Sequence, residues 1–115
     1  MIDQIVFFQR KDHIREGSQH VITAKFKDRS SAALVVPTNI RYRLDDLRSG
    51  TTVLDWTSIS ADDEITITIT ATQNALQDQF QREEVRELVL AVDYGLSTQY
   101  IDSITYTLEN IHGVT

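Results

Sequence analysis

Ile65 to Thr70 alternates isoleucine with threonine without a break. β-Branched residues at a period of two describe a strand whose isoleucines line one buried face and whose threonines line the other. The same period recurs along the chain: Ile22, Ala24 and Phe26 share a face, as do Leu88, Leu90 and Val92, and Ile104, Tyr106 and Leu108. In 40–44 the pattern puts Ile40, Tyr42 and Leu44 inward and Arg41 and Arg43 outward. Further strands are expected at Gln4 to Gln9, around Ile5-Val6-Phe7-Phe8, and at Val53 to Trp56. Turn chemistry separates these segments at Gly17-Ser18, Asp28 to Ser31, Asp45 to Gly50 and Asp93-Tyr94-Gly95. The run Ala33 to Val36 leads into Pro37, the only proline, which has no N–H to give to a ladder and so marks an edge or a strand end.

Seven or so short strands with one crossover predict an all-β fold, an antiparallel β-sandwich of immunoglobulin or fibronectin type III shape. One domain covers residues 1–115, of which 1–15 read either as the first core strand and its turn or as an N-terminal arm. The crossover follows the Ile/Thr strand. Thr72 is placed to cap a short helical turn there, with Leu76 tucked under the sandwich as a plug. Gln77 to Glu84 continues it as a polar stretch whose only large apolar residue is Phe80, too little to dock a long helix.

Composition narrows the chemistry. With no cysteine, there are no disulfides, thiolate nucleophiles or zinc–thiolate sites, and a chain of 115 residues can bury a core without them. Seventeen acidic against eleven basic side chains give a formal charge of -6, which argues against a nucleic-acid partner. No apolar run approaches the roughly 20 residues that span a bilayer, so no membrane is expected. Met1-Ile2-Asp3-Gln4 lacks the start of a signal peptide, and the chain reads as unexported.

Candidate sites are few. His13 and His20, with Asp12 and Glu16, match no compact ligand spacing and read as solvated. Asp62-Asp63-Glu64 reads as a solvated turn, since calcium loops place acids at alternating positions around a glycine. Alternation with Leu54 assigns Trp56 to the core, the alternative being an exposed platform for stacking. There is no phosphate loop, nucleophile elbow or His-Glu-x-x-His, so no catalytic residue, metal site or cofactor is expected, and the protein does not read as an enzyme.

A resemblance adds a context. Arg41-Tyr42-Arg43-Leu44-Asp45-Asp46, Ser49-Gly50, Val53-Leu54-Asp55-Trp56-Thr57, Ile65 to Thr70, Gln73-Asn74-Ala75 and Leu108-Glu109-Asn110-Ile111-His112-Gly113-Val114 resemble, in this order, a family of short proteins of tailed bacteriophages encoded among head and tail genes. The resemblance covers roughly residues 20 to 115, and Phe8 to Gly17 departs from the shorter turn of that family. It implies a non-enzymatic structural component of the virion, assembled in the host cytoplasm, at the head-to-tail junction as a neck or connector protein, or decorating the capsid. The partners it implies are other virion proteins, portal or connector, tail or major capsid protein, and further copies of the chain in a homo-oligomer. Contacts between such copies are expected from segments that the core leaves unsatisfied: Ile5, Val6, Phe7 and Phe8, then Phe80, then Ile111 and Val114. The alternative is a recognition module that binds a host glycan or protein through its loops.

Overall fold

The three isoleucines of the Ile/Thr segment are buried, Ile67 and Ile69 almost completely, while Thr66 and Thr68 face solvent. The computed structural model describes residues 2, 4–28, 30–76, 80–94 and 98–110, and among these there is no helix. Eight strands run in the order β1 (Gln4–Gln9), β2 (His13–Arg15), β3 (His20–Lys27), β4 (Asn39–Asp46), β5 (Thr52–Ile59), β6 (Glu64–Ile69), β7 (Glu83–Tyr94) and β8 (Thr98–Glu109). They form a three-stranded sheet, β1-β3-β6, and a five-stranded sheet, β2-β8-β7-β4-β5. Each sheet has one apolar face, and burying both at once requires the sheets to stack. Ile22, Phe26 and Ile67 of the first meet Leu44, Leu90 and Leu108 of the second in one core cluster, so the fold is all-β and sandwich-like.

The expectation of a wholly antiparallel arrangement fails at one pair. β1 leaves its sheet at Gln9, crosses in residues 10–12 and arrives beside the last strand running in the same direction, so β2 and β8 are parallel. Asp12 O accepts from Thr107 N at 2.7 Å, and Glu16 N donates to Glu109 O at 2.9 Å. The sequence reads this stretch as a turn because β2 is three residues long and points only Ile14 toward the core, too short for a period to show.

Two other boundaries move. Ala33 to Val36 is no strand; it makes a single bridge, Leu34 to Lys27. β7 begins at Glu83, ahead of the apolar alternation, and pairs along its full length with β8 as a twelve-residue hairpin. Where a helical turn is expected, residues 71–74 form a tight turn, with Asn74 N donating to Thr70 O at 3.1 Å and Ala75 N to Thr72 O at 3.3 Å. Thr70 N is held by Gln73 Oε1 in addition. Leu76 is buried, as the plug reading expects, and residues 77–79 of the polar crossover lie outside the described residues.

Replacing Ile67, the middle residue of β6 and 1% exposed, with aspartate would bury an unpaired charge between the sheets. That costs several kcal/mol against a total stability of roughly 5 to 15. Ile67→Asp is expected to yield insoluble protein on expression. Soluble protein with an unchanged thermal midpoint by circular dichroism would contradict the burial.

Candidate protein-contact surface

β1 supplies the first candidate surface. Its inner face holds Ile5 in the core and Phe7 half-buried against it, and its outer face carries Val6 and Phe8, the latter 65% exposed. The pleat therefore divides the four apolar residues in two. Ile5 and Phe7 face the core, and Val6 and Phe8 face outward. Val6 and Phe8 line a shallow depression with Phe7 and with Thr23, Lys25 and Glu64 of the neighbouring strands. Val21, on the same outer face, is also exposed. Among the described residues no strand pairs with the second edge of β1. Phe80 is exposed on the crossover, while Ile111 and Val114 lie outside the described residues.

Trp56 overturns its assignment to the core: it is 40% exposed, on the outer face of the five-stranded sheet. The cause is a β-bulge. Tyr42 pairs with Thr57 and Leu44 with Leu54, so two residues of β5, Asp55 and Trp56, oppose the single Arg43 of β4. One extra residue reverses the parity, and Trp56 swings out beside the two outward arginines. The guanidinium of Arg43 lies 4.9 Å from the centroid of the Trp56 ring system and that of Arg41 5.3 Å, both within cation–π range. Asp55 stabilises the bulge by accepting the Trp56 N–H at 2.8 Å. Arg43 is held by Asp45 at 3.0 Å and Arg41 by Asp93 at 3.7 Å. An acidic residue between Leu54 and Trp56, on what would otherwise be a buried strand, was the available signal.

A buried polar network underlies the end of the sandwich where β1 passes to β2. Arg86 of β7 is fully buried and points inward, opposite Tyr106 of β8. Its guanidinium donates to Gln73 O at 2.9 Å, to Ala75 O at 2.8 Å and to Glu84 Oε1 at 3.0 Å. Tyr106 Oη donates to Asn74 Oδ1 at 2.7 Å, and Asn74 Nδ2 donates to Ser18 O at 2.8 Å. Burial raises the Tyr106 phenol above its ordinary range, with the charge of Arg86 acting in the opposite direction. The His20 ring packs on Tyr106 with centroids 4.6 Å apart and meets Gln9 Oε1 through Nε2 at 2.9 Å. Gln9 Nε2 in turn donates to Thr105 O across the gap between the sheets. Thus one cluster ties the 70–76 turn to β7 and β8, and ties the end of β1, which carries the exposed Phe8, to the five-stranded sheet. Counting the period of β7 backward from Leu88 places Arg86 and Glu84 inward, a signal that their polarity masks.

Removing Arg86 breaks its buried pair with Glu84, 2% exposed, a change that costs about 3 to 5 kcal/mol in buried pairs. Arg86→Met is expected to lower the thermal midpoint by more than about 10 °C, and adding Glu84→Gln should restore part of the loss. Equal midpoints for Arg86→Met and the double variant would show that the pair is not coupled. Burial lowers the His20 pKa below its ordinary 6.5, so the folded chain holds the neutral ring while the unfolded chain takes up a proton. His20 therefore contributes stability that is present above about pH 6.5 and lost as the pH falls toward its lowered folded value. His20→Gln should flatten the fall in urea midpoint just below pH 6.5; parallel curves for the two proteins would contradict this.

Among the described residues no three His, Asp or Glu side chains converge as ligands of a metal ion would. Nor does any described helix have the length and apolar character to cross a membrane. Compared with protein-family models and with curated proteins, the chain finds no significant match in either.

Proposed function

We propose that this chain is a non-enzymatic structural component of a tailed bacteriophage particle, at the head-to-tail junction or on the capsid surface, acting through contacts with other virion proteins and with further copies of itself. The observation that carries the reading is the outer face of β1, where Val6 and Phe8 stand exposed beside a sheet edge that no strand pairs with among the described residues. An apolar residue 65% exposed on a regular strand does little for the fold of its own chain. Its value lies in a partner that covers it. The sequence resemblance supplies the phage context.

The strand order supports the immunoglobulin-like form of this proposal. β1-β3-β6 against β8-β7-β4-β5 follows the A-B-E and G-F-C-C′ order of such sandwiches, with β2 as the continuation of the first strand on the opposite sheet. Sandwiches of this shape serve as scaffolds for contact and recognition. The alternative, a module recognising a host glycan or protein, draws its support from Trp56 and its two arginines, residue types enriched where binding energy concentrates.

Mass spectrometry of purified virions separates the two. Stoichiometric presence in particles is the expected result, and absence from particles removes the structural role. Phe8→Ser should leave the isolated protein folded, since exposed substitutions change stability by about 0.5 kcal/mol or less, while lowering its incorporation into particles severalfold. Full incorporation of the folded variant would take the β1 face out of the contact.

A further inference from the structure

The segments that form the two lateral edges of the sandwich carry opposite net charge, although Glu109 of β8 stands beside His13 on the first and Arg41 and Arg43 lie over Trp56 on the second. β1 and β2 follow one another across residues 10–12 and so lie on one side, whereas β5 and β6 follow one another across residues 60–63 and form the other. Residues 4–15 hold Arg10, Lys11 and Arg15 against a single Asp12, a net charge of +2 in a chain whose total is -6. Residues 52–69 hold Asp55, Asp62, Asp63 and Glu64 and no Lys or Arg, a net charge of -4. Among the described residues no salt bridge engages Arg10, Lys11, Arg15, Asp62, Asp63 or Glu64. Each group of charges also has apolar neighbours. Phe8 and Val6 precede Arg10 on the first edge. On the second, the bridge of Leu34 to Lys27 and the hydrogen bonds of Phe26 to Asp63 O and Val35 N set the exposed Leu34 and Val36 beside the acidic turn.

From this complementarity we infer that the partner of the β1–β2 edge is a second copy of this chain, docked head to tail so that the Arg10/Lys11 edge of one copy meets the Asp62–Glu64 edge of the next. The inference deepens the structural reading above by naming the partner that covers Phe8. A two-fold dimer through the β1–β2 edge would set like against like and leave the acidic edge unused. A heterologous contact uses both edges and repeats, which generates a ring or a filament. Register adds a geometric detail. Glu64 stands in the row of Lys25 and Val6, while Arg10 and Lys11 lie four and five residues further along. From Val6 to Gln9, the end of β1, the strand rises three residues at about 3.3 Å each, so the two patches differ in height by roughly 10 Å or more. Successive copies are therefore staggered along their strands, and in a closed ring the strands are inclined to the ring axis.

Sedimentation velocity of the purified protein tests the contact. At an ionic strength of about 10 mM, where the Debye length is about 30 Å, the protein is expected to self-associate with rising concentration, and near 1 M, where it is about 3 Å, to weaken by on the order of tenfold or more. Arg10→Glu with Lys11→Glu should abolish the association, as should Asp62→Lys with Glu64→Lys, and the chain carrying all four changes should regain it. Circular dichroism confirms that each variant is folded. A wild-type protein that stays monomeric at low salt overturns the inference, as does loss of association from the first pair of changes alone, which is the mark of a two-fold contact. So does failure of the folded fourfold variant to reassociate. Absence of the protein from virions with self-association intact would remove the particle role and leave this contact standing.

Discussion

Two sheets of unequal width bury one face each against the other, and the two-residue period of the pleat decides which side chains do so. Ile22, Ile67 and Leu90 are placed by that parity, and so are the exceptions. Phe8 is outside because Ile5 and Phe7 have claimed the inner face of β1. Trp56 is outside because one extra residue in β5 reverses the count. Arg86 is inside because it stands two residues before Leu88 on an unbroken strand. A large apolar ring left in water and a guanidinium taken out of it are consequences of one geometric rule, and each required local compensation.

For Arg86 the compensation is coordination. A buried cation is tolerated only when its charge is met and most of its donors are paired, and here a carboxylate and two backbone carbonyls take up the two terminal nitrogens while Nε is left without a hydrogen-bond partner among the described residues. The carbonyls belong to Gln73 and Ala75, which lie in the turn after β6 and have no sheet partners of their own. The arrangement thus serves both sides: the turn gains donors and the guanidinium gains acceptors. Replacing the cluster by aliphatic side chains would fill the space but leave those carbonyls unmet. Its link through Tyr106, His20 and Gln9 makes the placement of β1 depend on the same contacts.

Periodicity made the all-β class legible, together with the inward residues of β3, β4, β6, the apolar part of β7, and β8. Each of those strands repeats its period at least three times without interruption. What the pattern missed has physical causes. β2 is too short to carry a period, and its parallel partner lies more than ninety residues away. Glu83 to Arg86 looks like loop because polarity stands where the inner face should be apolar. The candidate contact surface was legible as a segment, Ile5 to Phe8, and not as a face, since only pairing with β3 fixes which half points out. Leu34 and Val36 look like strand residues and end exposed beside an acidic turn that is far from them in sequence.

The edges differ in how well they resist unintended pairing. An open strand edge offers unpaired N–H and C=O groups to any passing chain, and proteins blunt such edges with bulges, charges or short strands. β5 has two register breaks, and the side chain of Asp55 takes up the Trp56 N–H at one of them, so no long regular ladder can be added there. β2 is three residues long, ends in Arg15 and is preceded by Lys11 and Asp12. β6 begins with Glu64 after Asp62 and Asp63. β1 alone, Gln4 to Gln9, has no charge, proline, glycine or bulge in six residues. That composition carries an aggregation hazard unless something covers it. Among the described residues no strand covers that edge, and the cations that follow at Arg10 and Lys11 favour the approach of an acidic surface, the kind of partner proposed above.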